Sequence, residues 1–208
     1  MKGGRSTMIV YGTVVQVFEP YEFVSKNNGK TYVINKAMMK YLVGTLENTI
    51  LLSRIAEKGE NDADCHFVQG AYGRANVDIY VDEKQFISFK VRSFIPATQG
   101  EQQMYEGRQL NAINGVVKDV INDGTFKARD GQTYQAYKVI LSCCNDDATP
   151  FDMPVSTGKF KFAQAAMANK GKQMDLQVLY TVRQIQRNGK TYYMNKCRYV
   201  SHRHLGNV

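Results

Sequence analysis

One pattern occurs twice in this chain and limits its possible folds more than any other feature. Gly12-Thr-Val-Val-Gln-Val-Phe18 returns as Gly115-Val-Val-Lys-Asp-Val-Ile121. Phe23 then matches Phe126, Gly29-Lys-Thr-Tyr32 matches Gly131-Gln-Thr-Tyr134, and Lys36 matches Lys138. The offset is 103 residues before the turn and 102 after it, with Asn28 as the extra residue. Eight of the 27 aligned positions are identical. In each copy two β-branched and apolar runs flank a polar loop with a turn dipeptide, Asn28-Gly29 or Asp130-Gly131, which reads as strand, turn, strand. The sequence therefore predicts a duplicated β-module. Asn188-Gly-Lys-Thr-Tyr192 also copies Asn28-Gly-Lys-Thr-Tyr32, but at a different place in the element order. Shared turn chemistry accounts for that match, because Asn-Gly permits positive φ and Thr-Tyr suits the following strand.

The rest of the chain extends the pattern. Met8–Phe18, Lys30–Met39, Thr49–Ile55, Val77–Val81 and Phe86–Phe94 read as strands, and Asp82–Gln85 as a hairpin turn. Glu19–Asn28 reads as a loop, Glu57–Asp64 as an exposed acidic loop, and Gly70 and Gly73 oppose a long helix. Periodicity is lost across Ile95-Pro-Ala-Thr-Gln-Gly-Glu-Gln-Gln103, which places a linker at about 96–107 and domains at 1–100 and 101–208. In the second half, Leu110–Ile121, Thr133–Cys143, Phe151–Val155, Asp175–Gln186 and Thr191–His202 read as strands, with a turn at 145–150. Ser156 or Thr157 suits a helix cap, Phe160, Ala163 and Met167 form a buried stripe, and Gly171 suits the helix end.

Strand, strand, strand, helix, strand, strand is the order of a five-stranded OB barrel. By that order over 110–202, and over 8–95, the chain resembles the OB-fold single-stranded-DNA-binding proteins of bacteriophage replication systems. The resemblance implies an all-β fold of two tandem five-stranded OB-like barrels with one short helix per barrel. It also implies binding to single-stranded DNA. Relatives often end in an acidic tail that recruits partners. This chain ends Ser201-His-Arg-His-Leu-Gly-Asn-Val208, which is basic, so tail-mediated recruitment is not carried over.

Charge agrees with a polyanionic partner. The net charge is +8. Residues 1–101 carry 12 Lys and Arg against 11 Asp and Glu, whereas residues 102–208 carry 15 against 8. The second half should supply most of the attraction. Cys65, Cys143, Cys144 and Cys197 form no Cys-x-x-Cys, and adjacent Cys143 and Cys144 point to opposite faces of a strand. A reducing cytoplasm is expected, or a host cytoplasm if the chain is viral. No window approaches 18 apolar residues, so no membrane partner is expected. The segment Met1–Thr7 reads as a loose basic leader without the apolar run of a signal peptide.

A single-strand binder needs cations for phosphates and π-faces for bases. Parity puts Tyr137, Val139 and Leu141 inward and Tyr134, Ala136 and Lys138 outward. Tyr32, Ile34 and Lys36 take the matching outward positions in the first copy. A Tyr and a Lys four residues apart thus recur on the face that binds ligands in OB folds. Leu176, Val178, Tyr180 and Val182 look inward, while Arg183 and Arg187 point away. Tyr192, Met194, Lys196 and Arg198 share a face, with Lys90 and Arg92 as candidate equivalents of Lys196 and Arg198. Phe23 and Phe126 suit core or hinge packing as well as base contact. Lys159, Lys161, Lys170 and Lys172 read as a solvated helix face.

Enzyme signatures are missing: there is no Gly-x-x-x-x-Gly-Lys-[Ser/Thr], His-Glu-x-x-His or Gly-x-Ser-x-Gly. Cys65-His66, and Cys197 with His202 and His204, lack zinc spacing. Asp62 with Asp64 and Asp146 with Asp147 sit in polar turns rather than in a nuclease-like pair. No cofactor is called for. The expected activity is coating and protection of single-stranded DNA with low sequence specificity, during replication or recombination and alongside proteins of those processes. RNA stays open as the strand, because a 2′-OH contact is not written in composition. The alternative is an OB-like adaptor that binds protein partners in a replisome or virion, which the nearly neutral first half also fits.

Overall fold

Buried and exposed side chains alternate at period two along most of the chain, as they must where each strand lines a barrel interior with one face only. The structure, a computed structural model, describes residues 5–60, 66–107, 111–128, 131–144 and 150–203. Its first half contains β1 (Arg5–Val17), β2 (Tyr21–Val24), β3 (Thr31–Val43), β4 (Leu46–Glu57), β5 (Tyr72–Val81) and β6 (Ile87–Pro96). Then follow α1 (Gln99–Tyr105), β7 (Asn111–Lys127), β8 (Thr133–Cys144), β9 (Pro150–Thr157), α2 (Phe160–Ala168), β10 (Gln173–Arg187) and β11 (Lys190–Arg203). β1 begins inside the predicted leader; residues 1–4 lie outside the description.

The pairings close two barrels. β1 pairs β3, β3 pairs β4, β4 pairs β6 in parallel, β6 pairs β5 and β5 returns to β1. β7, β8, β9, β11 and β10 repeat the circuit, with β9 and β11 parallel. This is the OB topology, and closure removes the sheet edges that would invite further pairing.

The two circuits match in detail. β1 carries a bulge between Val14 and Gln16, and β7 carries one between Val117 and Asp119, at the same 103-residue offset. Val14 donates its N–H to the Ala71 carbonyl and accepts from Gly70; Val117 donates to Lys172 and accepts from Gly171. Gly12 and Gly115 lie where a Cβ would sit 2.3 Å from the Lys40 carbonyl oxygen or 2.8 Å from Cys143 Sγ. Both positions therefore need glycine for close backbone approach. Asn76 Nδ2 donates to Ser93 Oγ across β5–β6, and Ser201 Oγ donates to Gln177 Oε1 across β10–β11, each beside a bulge.

Several local expectations change. The helix of the second half buries Phe162, Ala163 and Ala166, whereas Phe160 and Met167 are about half exposed. Phe162 stacks on Tyr199 with ring centroids 3.6 Å apart, so the buried stripe is turned from the predicted one. Thr157 ends β9, and its Oγ1 accepts from the Lys159 N–H instead of capping α2. In the first barrel, no helix occupies the interval between β4 and β5 among the described residues; Phe67 packs edge-on against Phe94 there. The predicted linker contains α1, started by a capping box in which Thr98 and Glu101 bond reciprocally. Both predicted turn loops are instead extended arms. β2 pairs the start of β3, and β7 runs on to Lys127 against β8. The turns at 145–149 and at Asp130 lie outside the described residues.

The barrels share a continuous apolar core, within which Phe89 of the first meets Tyr180 of the second edge-on at 5.0 Å. β10 leaves β7 after Val178, which frees one backbone edge at Tyr180. The buried Tyr41 hydroxyl takes that edge: it donates to the Tyr180 carbonyl at 2.6 Å and accepts from the Tyr180 N–H at 3.0 Å. Burial pushes the Tyr41 pKa up, which keeps the donor protonated. Tyr41→Phe strands both backbone groups in the core. It should cost about 1–3 kcal/mol, read as a lower urea midpoint at unchanged slope; an unmoved midpoint would show that this contact does not hold the barrels.

Candidate nucleic-acid interface

Register places the polar face of each barrel. In the first, Lys36 pairs with Ser53, and Ser53 with Lys90. In the second, Lys138 pairs with Ser156, and Ser156 with Arg198. A cation, a serine and a second cation thus lie side by side across three strands of both barrels, spaced about 4.8 Å per strand. This alignment makes Lys90 the equivalent of Arg198. Lys196 then corresponds to Ser88, and Arg92 to Val200, two positions from the expected match. Lys90 rests its ammonium 4.2 Å from the Tyr80 ring centroid, and Arg92 is tied to the buried Asp78 at 2.8 Å. Both have protein partners.

Two adjoining grooves cover these faces. The larger, about 640 Å³, is lined by Lys36, Ser53 and Ser88 from the first barrel and by Arg187, Tyr192 and Tyr193 from the second. The smaller, about 220 Å³, is lined by Lys138, Ser156, Arg183, Lys196 and Asp123 of the second barrel and by Lys84 and Gln85 of the first. Phe86, Ile87, Ile185, Met194 and Asn195 border both, so the two form one trough.

Of the residues singled out in the sequence, Lys36, Arg187 and Tyr192 meet in the larger groove, and Lys138, Arg183 and Lys196 in the smaller. Arg198 borders the latter by register. Tyr32 and Tyr134 stand further out, on the arms. Phe23 stacks on Tyr32 at 5.7 Å and Phe126 on Tyr134 at 5.9 Å, in equivalent cross-strand pairs. Phe126 is 44% exposed, so it is not core, and one edge of its ring lies against Gly158. Its match to Phe23 in the repeat was the available signal. Lys84 and Phe86 escaped the sequence reading, because nothing in a turn sequence says that it will abut another barrel, and Asp123 escaped it because its polar segment read as loop. Lys159 lies against Tyr199 and Lys170 pairs with Asp119, as suits a helix surface.

The electrostatics single out the smaller groove. Lys30, Lys40, Lys58, Lys118 and Lys170 each have a carboxylate partner elsewhere on the surface. Among the described residues Lys36, Arg183, Arg187, Lys196 and Arg198 have none. Burial, joined by the charges of Arg183, Lys138 and Arg198, holds the Lys196 pKa below its usual value, while Asp123 opposes the shift. Asp123 also pairs with Lys138 at 3.2 Å. Crowded cations in a half-buried groove make a site whose charge is incompletely neutralised by the protein, which an anion would complete.

Among the described residues no three His, Cys, Asp or Glu side chains cluster as a metal site. Cys65, His204, Asp62, Asp64, Asp146 and Asp147 lie outside the described residues. Cys143 is buried, which pushes its pKa up to about 12, and Cys144 is exposed. No described helix is long and apolar enough to cross a membrane.

No protein-family model and no curated protein matches the chain. Among solved structures it is similar to a deletion mutant of the single-stranded DNA binding protein from Thermus aquaticus. The identity is 11%, over 98% of this chain and 95% of that one, with a TM-score of 0.51. A replication protein A heterotrimer bound to ssDNA aligns at 10% identity over 93% of this chain and 49% of that one, with a TM-score of 0.26. The first likeness is one of fold: the chain resembles the OB-fold single-stranded-DNA-binding proteins in architecture.

Asp123→Asn removes the carboxylate that competes for Lys138. The variant should elute from heparin at higher salt than the parent and bind a phosphodiester chain about threefold more tightly, in line with a partly exposed ion pair. Earlier elution would mean that Asp123 orders the groove instead of blocking it.

Proposed function

We propose that this chain is a non-enzymatic single-stranded-DNA-binding protein. It coats and protects exposed strands with low sequence preference during replication or recombination, in a cytoplasm that is the host's if the protein is viral. The observation that carries this reading is the trough, where unpaired cations converge on exposed aromatic rings. Phosphate contacts and stacking tolerate every base, so such a surface grips a strand without reading it. A duplex would present no free π-faces to Tyr192 or to the arm pairs Phe23–Tyr32 and Phe126–Tyr134.

In this reading the two barrels are copies of one module, with domains at 1–100 and 101–208. Their shared bulges, glycines and Lys-Ser-cation rows support a duplication. Tyr32, Lys36, Tyr134, Lys138, Arg183, Arg187, Tyr192, Lys196 and Arg198 are the contact residues. Phe23 and Phe126 join them as stacking partners. Lys90 and Arg92 act at most after release from Tyr80 and Asp78.

A fluorescence titration with oligo-dT at several salt concentrations tests the proposal. Lys36, Lys84, Lys138, Arg183, Arg187 and Lys196 line the trough. The logarithm of the affinity should therefore fall against the logarithm of salt with a slope on the order of −4, at about 0.7 per neutralised phosphate. Matched duplex should bind much more weakly. Salt-insensitive or absent binding, with protein capture that survives nuclease, would favour the adaptor instead. Replacing Tyr134 with Ala and Lys138 with Gln together should weaken oligo-dT binding about tenfold or more. The thermal midpoint should stay within a few degrees, since both side chains point outward.

A further inference from the structure

The hairpins of the two barrels are exchanged. The larger groove lies on the first barrel's face, at Lys36, Leu51 and Ser53, yet the β10–β11 hairpin of the second barrel supplies its other wall. The smaller groove lies on the second barrel's face, at Lys138, Pro154 and Ser156, yet the β5–β6 turn of the first barrel closes it with Lys84, Gln85 and Phe86. Neither groove exists on one barrel alone. Asn195 fixes the exchange: its side chain accepts from the Leu51 N–H at 2.8 Å and donates to the Leu51 carbonyl at 2.9 Å.

Phe86 stands where the two grooves meet. Asp82 holds it there, accepting from the Lys84 N–H at 2.9 Å and the Phe86 N–H at 2.8 Å, while Gln85 takes a positive φ of 63° to complete the turn. Its backbone is thus fixed while its ring stays 45% exposed. Across the groove lies Tyr192, 48% exposed, with Lys36 and Arg187 on the same lining. The volume of about 640 Å³ falls in the range of about 300–1,000 Å³ usual for small-ligand sites.

We propose that the junction is a composite nucleotide site: an unstacked base lies on Phe86 between the barrels, its phosphates are met by Lys36 and Arg187, and a single DNA strand runs through it from one barrel to the other. The site takes the nucleotides of a continuous unpaired strand, because cations flank the aromatic lining on both sides and the trough does not break between the two faces. This rests on the single-stranded-DNA reading above and adds stoichiometry and path to it.

Oligo-dT of increasing length, titrated against the full chain and its Phe86→Ala variant, tests the proposal. At the length where affinity saturates, one oligonucleotide should bind per chain. Phe86→Ala should weaken that oligonucleotide about five- to tenfold and leave oligonucleotides too short to reach the junction within twofold. Making the central nucleotides abasic should cost the parent a similar factor, and the variant almost nothing more. Arg187→Gln, on the opposite wall, should show the same length dependence with a smaller salt slope. Parent protein that binds two strands per chain, or long-strand affinity unmoved by Phe86→Ala, would overturn the composite site and leave the binding function standing. Parent protein that binds no oligonucleotide would overturn both.

Discussion

Two polar side chains set the relation between the barrels, and the trough depends on it. Tyr41 occupies the backbone edge at Tyr180, and Asn195 occupies the edge at Leu51. Each acts as a one-residue substitute for a neighbouring strand. The core alone would not do this, because apolar contact such as Phe89 against Tyr180 is non-directional and tolerates sliding. Buried hydrogen bonds do not tolerate it, since a shift of an ångström or two leaves a carbonyl and an N–H unpaired in a dry site. The exchange of hairpins follows: with Leu51 and Asn195 pinned, the β10–β11 hairpin has to lie along the first barrel's outer face.

The same module is used differently in its two positions. The Lys-Ser-cation row is common to both, but the second barrel adds Lys196 where the first has Ser88, and keeps Arg198 free where Lys90 rests on Tyr80. The difference reproduces locally the imbalance of charge between the halves. Lys138, Arg183 and Lys196 gather in the smaller groove, and the exposed aromatic rings are spread over arms, hairpin and junction.

What could be read in the sequence was what period two dictates. Ala37, Met39 and Tyr41, like Val139, Leu141 and Cys143, are buried on one strand face, and the alternation alone places Lys36 and Lys138 on the other. The order of the ten barrel strands followed from the apolar runs, while β2 was read as loop. What failed depended on contacts distant in the chain or on local chemistry with no apolar signature. The α1 capping box, Thr98 to Glu101, was present in the letters but sat in a polar segment after Pro96. The stripe on α2 was misplaced because Phe162 and Ala166 fit a helical period as well as Phe160 and Met167, and only Tyr199 decides between them. Lys90 and Arg92 were misaligned because the turn between strands differs in length between the copies, and only parallel pairing to Ser53 and Ser156 sets the register. The junction itself was invisible, as Asn195 and Leu51 are 144 residues apart.

A site of this kind sets stability against binding. Burial of Lys196 beside Arg183, Lys138 and Arg198, with Asp123 to oppose them, makes the groove electrostatically unfavourable for one more cation, and the Lys196 pKa is lowered accordingly. The protein tolerates that because the cluster lies on a barrel whose interior is closed and whose neighbour is pinned to it. A less rigid support would relax by turning the cations to solvent, and the density of positive charge in the groove would fall with it. The buried polar contacts at Tyr41 and Asn195 and the unneutralised cations of the trough are thus two sides of one arrangement: the first keep the second in place.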